Sequence, residues 1–486
     1  MNREKNARRW PVVVGALVIQ ASLGAVYIWS VFQTPLLAAF PEWSEKTVTL
    51  PAQLVLAFFA LAVILGGRLQ DRLGPRRVAS AGGILLGLGL GLSWFSQFFP
   101  SPGALIWLLA TFSLLGGFGI GMAYVCPIAT CVKWFPDKRG VVTGLAVAGF
   151  GGGAFFFAPL ARGFISGGAY QIFGLRLFPL PHLGLFGTFL VLGVIFFCAT
   201  LAGAQLLRNP PPDFSPPGRD PGGAGQDAVM APEFCSSEML RTPLFWLLWT
   251  TYFVGCAAGL QVIMKISPIW ESFSMTGLSS PVAEATFLRV SALGTTAVSV
   301  LAIFNSSGRI IWGKVSDSLG RKVTLVIIFS LSGLVLLFLD SMRTFPLYLA
   351  GTGLVGLCFG GLLALYPAIT ADFFGTKHIG SNYGWMYTAY GAGGLAGPFL
   401  AARLMRVEAG VIYLARSPAG TVSEHLLIPG DYQPAFLVAG GACLVAAVLL
   451  MLFLSHRPHG NPSGCKKMPA RSAADAPPGT LPGVAE

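Results

Sequence analysis

The sequence predicts an all-α polytopic membrane protein, and two observations support this fold class. Of the 486 residues, 54% are hydrophobic and only 11% are charged, whereas soluble domains carry about 25% charged residues. A chain this long would lack a polar coat for water, so we expect its apolar surface to face lipid. The second observation is a set of apolar runs of about 20 residues, the length that crosses the hydrocarbon core. Twelve such runs occur, and we number them spans 1 to 12: 11–37, 50–69, 77–99, 104–132, 140–161, 183–207, 243–266, 285–312, 323–342, 346–372, 382–402 and 434–455.

The lysines and arginines set the expected orientation. They cluster in the ends and loops that share one side of the membrane if the twelve spans alternate. The positive-inside rule makes that side the cytoplasm and places both termini there. The same clustering accounts for the net charge of +12 without a nucleic-acid partner. We therefore expect a multi-pass protein of the plasma or inner cell membrane, in contact with the lipid bilayer.

The chain is expected to divide into two halves. The longest polar break is rich in proline and glycine, which is typical of a flexible linker. The predicted units are an N-terminal six-helix half, 1–208, a cytoplasmic linker, 209–240, a C-terminal six-helix half, 241–457, and a disordered tail, 458–486. Two outer loops, 162–182 and 403–433, are enlarged.

The two halves repeat a motif. Gly67-x3-Asp71-x2-Gly74 follows span 2, and Gly313-x3-Asp317-x2-Gly320 follows span 8 at nearly the same place in its half. Duplicated halves in transporters place a binding site between them near the bilayer midplane. The repeat therefore predicts two pseudo-symmetric bundles with a central site.

The repeated stretches GRLQDRLGPRR (67–77) and GKVSDSLGRK (313–322) resemble the loop motif of the major facilitator superfamily. Further stretches, QASLGAVYIWSVFQTPL (20–36), YVCPIATCVKWFPDKRG (124–140) and SNYGWMYTAYGAGG (381–394), resemble the oxalate/formate antiporter family, a relative of monocarboxylate transporters. The resemblance covers nearly all of residues 10–455. It implies the major facilitator fold and secondary transport of small organic anions.

The repeated loop motif is the predicted gate. Its glycines permit a tight turn and close helix approach, and its aspartates can hold cations or helix N-termini so as to close the cytoplasmic side. The alternative is a solvated turn without a gating role. The residues assigned to this conformational role are Asp71, Arg72, Gly74, Asp317, Gly320 and Arg321.

Arg309 is the first candidate for binding a substrate. It follows the apolar run LAIFNSSG in span 8, and a charge inside a membrane segment costs about 2.5–3.5 kcal/mol on insertion scales. A guanidinium group matches a carboxylate bidentately and stays charged when buried. The resemblance implies that the arginine at this place binds the substrate carboxylate. The alternative is that Arg309, four residues before Gly313, extends to the cytoplasmic surface.

Four tyrosines are candidates for lining the site. Tyr390 stands where the resembling oxalate carriers have a lysine, so the resemblance implies one cation fewer and favours a monocarboxylate such as formate or lactate. Tyr387 lies three residues earlier on the same helix face. Tyr27 and Tyr124 occupy places where the resembling transporters line the cavity. The alternative is that these aromatic side chains only pack or anchor helices at the membrane interface.

The sequence favours exchange over proton coupling. No Asp, Glu or His lies in the middle of a span, and Asn305 stands where the resembling proton-coupled lactate carrier has an aspartate. We therefore predict an anion exchanger that works as a monomer, without metal or cofactor. Proton-coupled monocarboxylate symport and oxalate/formate exchange stay open, and a sensor on the same fold is more remote. An enzyme is not expected, because the spans hold no catalytic constellation such as paired carboxylates.

Overall fold

The computed structural model describes residues 9–136, 138–167, 169–172, 175–211, 233–278, 282–407, 411–416, 422–427 and 429–454. The predicted tail, 458–486, and most of the predicted linker lie outside these residues. The side chain of Tyr27 also lies outside the described part of the chain.

All twelve predicted spans are helical. Nine helices in the described part are long and apolar enough to cross a membrane, and they coincide with every predicted span except 1, 8 and 11. The observed bounds are Trp10–Leu23, Gly24–Ile28 and Trp29–Ala39 (span 1), Glu45–Leu73 (2), Pro75–Leu92 and Ser93–Phe98 (3), Ser101–Leu108, Leu109–Gly116 and Gly117–Trp134 (4), Arg139–Ser166 (5), Gly184–Leu206 (6), Pro243–Met275 (7), Glu284–Leu319 (8), Arg321–Phe338 and Leu339–Ser341 (9), Phe345–Phe374 (10), Ile379–Leu404 (11) and Gln433–Phe453 (12).

Two spans contain a change of helix type. Span 1 passes through a 3₁₀ segment at Gly24–Ile28, and span 4 contains a π-helical segment at Leu109–Gly116. Ser113 in the π segment donates a hydrogen bond to the carbonyl of Pro51 in span 2, at 2.8 Å. Such segments are frequent at functional sites, and both lie in the N-terminal half.

Spans 2 and 8 end at equivalent glycines. Gly74 has φ 86° and Gly320 has φ 85°, a backbone conformation that favours glycine because it has no Cβ atom. Each of these glycines stops one helix and is followed at once by the next. The shared geometry agrees with the repeat seen in the sequence.

The two loops expected to be enlarged, 162–182 and 403–433, contain short strands. β1 (Ala169–Ile172) pairs with β2 (Leu175–Pro179). β3 (Arg406–Val407) pairs with β6 (Gly430–Asp431), and β4 (Val411–Arg416) pairs with β5 (Val422–Leu427). All three pairs are antiparallel, and the membrane-spanning part of the chain remains helical.

The helices show the surface expected of a protein in lipid. Large apolar side chains point outwards, including Phe399, which is 72% exposed, and Ile106, which is 67% exposed. Soluble monomers rarely expose contiguous apolar surface. We attribute this outer surface to contact with the bilayer.

The last residues of the predicted linker, 233–240, lie within the described part of the chain. A short helix occupies Ser236–Met239. Before it, the carboxylate of Glu233 accepts hydrogen bonds from the backbone N–H groups of Thr376 and Lys377, at 3.3 and 2.7 Å. The N–H group of Phe234 donates to the carbonyl of Phe374 at 3.1 Å. Residues 233–240 are therefore docked on the loop between spans 10 and 11.

Candidate functional site

Arg309 is fully enclosed in the structure, with 1% of its surface exposed. Its Nε donates to the Oδ1 atom of Asn305, one turn earlier in span 8, at 3.1 Å. Its Nη1 donates to the carbonyl oxygen of Val147 in span 5, at 2.6 Å. The side chain therefore crosses from the C-terminal half to the N-terminal half and does not extend to the membrane surface.

Glycines make room for Arg309 on both sides. A Cβ atom at Gly144 in span 5 would overlap the carbonyl oxygen of Arg309, and one at Gly360 in span 10 would overlap that of Asn305. A Cβ atom at Gly151 would lie 3.2 Å from the Cζ atom of Arg309. Gly144 and Gly360 therefore let spans 5 and 10 approach the backbone of span 8, whereas Gly151 faces the guanidinium group, which a larger residue there would displace.

The charge of Arg309 has no counter-charge among the residues that the structure describes. Its two acceptors are a neutral amide and a neutral carbonyl, and no ion pair includes it. A guanidinium group carries five N–H donors, so three donors remain. In the described part of the chain, the only other buried lysine or arginine is Arg9, which lies over the ring of Phe135. Arg309 is thus a buried cation able to take an anion.

The structure brings three of the four candidate tyrosines together. The ring of Tyr124 in span 4 lies 4.9 Å from that of Tyr387 in span 11, and Tyr387 stacks on Tyr390 at 4.8 Å. Phe59 in span 2 lies 5.4 Å from Tyr387. The three tyrosines are at most 4% exposed. This aromatic group joins the two halves at their interface.

Span 5 connects Arg309 to the aromatic group. Val147 accepts the hydrogen bond from Arg309, and Phe150, three residues later, packs against Tyr124 at 5.3 Å. All these side chains are almost completely buried. A separate small cavity lies within the N-terminal half against Trp29, Phe112 and Phe196. Its lining is apolar, so it offers nothing to an anion.

Sequence reasoning missed two further buried tyrosines, Tyr252 in span 7 and Tyr383 in span 11. Both are 0% exposed, and their hydroxyl groups lie beside each other. Tyr383 lies 5.7 Å from Tyr387, ring to ring. A spacing of four residues puts them on one helix face, so the run SNYGWMYTAY contained a signal for Tyr383. No comparable signal marks Tyr252.

The first predicted gate residue, Asp71 at the end of span 2, binds the start of span 11. Its carboxylate accepts hydrogen bonds from the N–H groups of Gly380 and Ser381, at 3.1 and 2.6 Å. Lys133 approaches it to 3.9 Å. A Cβ atom at Gly67 would overlap the carbonyl of Gly380, so the two helices touch. A carboxylate at a helix N-terminus is favoured by the free N–H groups there.

The second predicted gate residue, Asp317 at the end of span 8, binds the start of span 5 in the same way. Its carboxylate accepts hydrogen bonds from the N–H groups of Gly140 and Val141, both at 2.9 Å. Arg321 binds Asp317 at 2.6 Å and also Asp372 at 2.8 Å. Arg139 binds the other oxygen of Asp372 at 2.5 Å. This second contact therefore has more charged partners than the first.

The remaining gate candidates divide into two kinds. Gly74 and Gly320 supply the positive-φ turns described above. Arg72 is exposed and takes part in no ion pair among the described residues. The structure thus brings five of the six predicted gate residues into the two helix contacts or their turns and leaves Arg72 outside.

Comparisons with known proteins agree with this architecture. A sequence model of the Major Facilitator Superfamily matches residues 11–297 and 271–477. The chain is 28% identical to the oxalate:formate antiporter of Oxalobacter formigenes, covering 82% of this chain and 85% of that protein. It is 25% identical to monocarboxylate transporter 13 of Rattus norvegicus, covering 90% of this chain and 88% of that protein. The predicted resemblance to these two groups is confirmed.

Two further similarities complete the comparison. The apicoplast pyruvate carrier 1 of Toxoplasma gondii is 28% identical, covering 72% of this chain and 68% of that protein. The solved structure of the proton:xylose symporter XylE superposes with a TM-score of 0.60 at 13% identity, covering 93% of this chain and 96% of that chain. At that identity the superposition shows the fold alone. Because the family model matches far more than half of the sequence and the helices adopt the corresponding fold, the chain belongs to the Major Facilitator Superfamily of membrane transporters.

Proposed function

We propose that the protein is a secondary active transporter of small carboxylate anions, that its substrate is a monocarboxylate, and that it works by alternating access as an anion exchanger. The observation that carries this proposal is Arg309. It is a buried guanidinium group with neutral partners at the interface of the two halves. An unpaired buried charge is costly, and a bound carboxylate would supply the missing counter-charge.

The number of buried cationic side chains at the interface of the two halves supports a substrate with a single negative charge. Among the residues that the structure describes, Arg309 is the buried cation at the interface, since the other buried arginine, Arg9, lies at the start of span 1. Tyr390, which occupies the place where the resembling oxalate carriers have a lysine, is neutral. A dianion would bring a second charge into a site with one fixed cation, and the uncompensated charge would be expensive.

The names of the relatives point to the same substrate class. They include an oxalate:formate antiporter, a pyruvate carrier and monocarboxylate transporters. Formate, pyruvate and monocarboxylates in general carry one carboxylate group. The relatives therefore support a small organic anion for this chain, and the missing second cation favours the monocarboxylates among them.

Exchange is supported by the charges near the site. The two span-end aspartates that could take up a proton are engaged elsewhere: Asp372 with Arg139 and Arg321, and Asp340 with Arg343 at 3.0 Å. The residue beside Arg309 is the neutral Asn305. The empty site would therefore carry a bare buried cation during reorientation, which is unfavourable, whereas the loaded site would be neutral.

The helix contacts of Asp71 and Asp317 are the proposed gate. Both carboxylates bind helix N-termini of the opposite half, so rocking the halves apart on this side must break four hydrogen bonds. We assign this side to the cytoplasm from the positive-inside rule. The described arrangement would then be closed to the cytoplasm.

The test is exchange in proteoliposomes. Purified protein would be reconstituted into vesicles that are empty or preloaded with unlabelled substrate, and uptake of radiolabelled formate, lactate and oxalate would be measured. The variants are Arg309→Ala and Arg309→Lys, and the matched control is Arg289→Ala, which removes an exposed arginine of the same helix.

We expect formate or lactate to enter only preloaded vesicles. Arg309→Ala should abolish uptake, Arg309→Lys should retain the charge but bind weakly because it lacks the planar fork, and Arg289→Ala should behave as wild type. Normal uptake by Arg309→Ala would overturn the binding role. Accumulation in empty vesicles under an inward proton gradient would replace exchange by symport, and a preference for oxalate would refute the monoanion argument.

A further inference from the structure

The end of the predicted linker packs into the C-terminal half. Phe234 is 3% exposed, and its ring lies 5.8 Å from that of Phe374 at the end of span 10, edge to face. Met239, at the end of the short helix, is 0% exposed. Both side chains belong to the buried core of the protein. Residues 234–239, the strap, are therefore a packed part of this half as well as a connection to it.

The side chain of Asn382 is the point where the strap holds span 11. Its Nδ2 atom donates a hydrogen bond to the carbonyl oxygen of Phe234 at 2.9 Å, and its Oδ1 atom accepts one from the hydroxyl group of Ser236 at 3.0 Å. Asn382 is 0% exposed. A buried amide group that loses a partner is destabilised, so these two bonds fix the strap against the first turn of span 11.

The same turn of span 11 binds the gate residue Asp71. The N–H groups of Gly380 and Ser381, immediately before Asn382, donate to its carboxylate at 3.1 and 2.6 Å. Asp71 belongs to the N-terminal half, whereas the strap packs on the C-terminal half. The first turn of span 11 is therefore held by Asp71 through its backbone and by the strap through a side chain.

The second gate contact has a different kind of support. Asp317 binds the first N–H groups of span 5 and lies in a network of charged side chains. The other members of that network are Arg139, Arg321 and Asp372. Asp71 has one ion pair among the described residues, to Lys133 at 3.9 Å. The strap thus lies at the gate contact that has fewer ion pairs.

Resting on the proposed gate, we infer that the strap positions the start of span 11 for Asp71, with Ser236 and Asn382 as positioning residues, and that release of the strap opens this end of the protein. The first N–H groups of a helix have no partner within it, and the ends of helices open readily. Hydrogen bonds weaken steeply when their angle changes. A first turn fixed at Asn382 keeps its amide groups aligned on the carboxylate, whereas a loosened turn does not.

The inference gives the linker a role beyond joining the two halves. Because the strap lies at the end of the linker, anything that lifts it shifts the gate equilibrium without contacting Asp71. The control would act from outside the two helix bundles and away from the substrate site.

The test measures the gate with the strap released. Spin labels at Arg77→Cys and Val323→Cys, exposed positions at the starts of spans 3 and 9, report the separation of the two halves at this end. The cysteines outside the buried core are replaced by serine, including Cys235 at the start of the short helix, where serine is a good N-cap. Hydrogen exchange of single amides and the melting temperature are measured on each variant.

The variants remove the contact from either partner. Phe234→Ala combined with Ser236→Ala, the strap variant, leaves the sequence of span 11 unchanged. Asn382→Ala removes the same hydrogen bonds from the side of span 11. Ser237→Ala is the matched control, because it removes an exposed hydroxyl group from the same short helix.

We expect the strap variant and Asn382→Ala each to add a longer distance that wild type and Ser237→Ala lack. The exchange of the Gly380 and Ser381 amides should accelerate about tenfold in both, the factor that one hydrogen bond of ordinary strength implies. A fall in melting temperature with unchanged distances and unchanged amide exchange would overturn the inference, because the strap would then contribute to stability alone.

Coupling to Asp71 separates positioning from a general loosening of the protein. If the strap acts through Asp71, its release should add little opening in an Asp71→Asn background and its full effect in an Asp317→Asn background. Equal effects in the two backgrounds would contradict the inference.

The same measurements distinguish this inference from the proposed gate. Wild-type distances in Asp71→Asn itself would refute the gate. Opening by Asp71→Asn, with wild-type distances in both the strap variant and Asn382→Ala, would refute the role of the strap and leave the gate intact.

Discussion

Neutralising Asp71 and Asp317, the two aspartates at the ends of spans 2 and 8, should open that end of the protein. Asp71 and Asp317 each accept two hydrogen bonds from backbone N–H groups of the opposite half. An asparagine at either position keeps one neutral acceptor and loses the charge. Hydrogen bonds to charged groups contribute about 1.5–3 kcal/mol and neutral ones about 0.5–1.5 kcal/mol. At the low end of the range the two charged bonds contribute about 3 kcal/mol together, and the one neutral bond that remains contributes about 1 kcal/mol. We therefore expect each substitution to weaken the closed state by at least about 2 kcal/mol.

That free energy has a measurable consequence for the populations. About 2 kcal/mol corresponds to roughly a 30-fold change in the equilibrium between closed and open states. If the open state has a population of about 1% in the wild type, within the range usual for minor conformations, each variant should raise it to roughly a quarter. The two contacts involve separate pairs of helices, so the double variant should combine both effects.

The assay is a distance measurement between spin labels at Arg77→Cys and Val323→Cys. These exposed positions begin spans 3 and 9, at the same end of the protein but in different halves. The labels would be placed in a background from which the native exposed cysteines have been removed. Wild type should give one short distance, and Asp71→Asn and Asp317→Asn should each add a longer one.

The control is Asp340→Asn, which breaks an ion pair with Arg343 inside a single loop at the opposite end. It should leave the distance distribution unchanged. A double variant, Asp71→Asn with Asp317→Asn, that shows the wild-type distribution would refute the argument, because losing both charges and the hydrogen bonds that depend on them would then not weaken closure.

Two further predictions concern the surroundings of the gate and of the site. Glu233→Ala should free the amide groups of Thr376 and Lys377, so the hydrogen exchange of these two amides should accelerate about tenfold. The amides at the start of span 11, which a different carboxylate holds, should keep their exchange rates. Unchanged exchange at Thr376 and Lys377 would mean that the docked segment does not protect this loop. Asn305→Asp should place a carboxylate next to Arg309. While that carboxylate is ionised it neutralises the guanidinium group, so the KM for lactate in the exchange assay should rise at least about tenfold at alkaline pH and fall again as the carboxylate takes up a proton at lower pH. A KM that is unaltered at every pH would show that the substrate does not depend on the positive charge.

The positions of the helices could be predicted from the sequence to within a few residues at most ends. Span 10, predicted as 346–372, is observed as Phe345–Phe374, and span 6, predicted as 183–207, is observed as Gly184–Leu206. Hydropathy locates such segments because each must match the thickness of the bilayer. Span 7 was predicted to end at residue 266 but continues to Met275, since its last turns carry polar residues that hydropathy cannot distinguish from a loop.

The outer loops and the linker were less predictable. Their strands are held by backbone hydrogen bonds between segments of mixed composition, for which neither apolar periodicity nor turn residues gave a clear pattern. The docked end of the linker depends on a particular carboxylate reaching particular amide groups, Glu233 to Thr376 and Lys377. Composition predicts the average behaviour of such a segment, but it does not predict that one side chain will bind a particular loop far away in the sequence.

The sequence by itself determined that the protein lies in a membrane and where its helices begin and end. It also marked Arg309 as a functional candidate, because the cost of moving a charge into lipid applies to each residue separately. Only the tertiary structure decided which groups meet. Asp71 reaches the N–H groups of Gly380 and Ser381, more than three hundred residues away, and Tyr252 joins Tyr383 beside the aromatic group. Hydropathy indicates that a residue lies within the bilayer but does not indicate which helix it packs against, since every apolar helix has a similar free energy of transfer into lipid. Those neighbours follow from the close packing of glycine-rich faces and from hydrogen bonds between the halves, and both exist only in the folded protein.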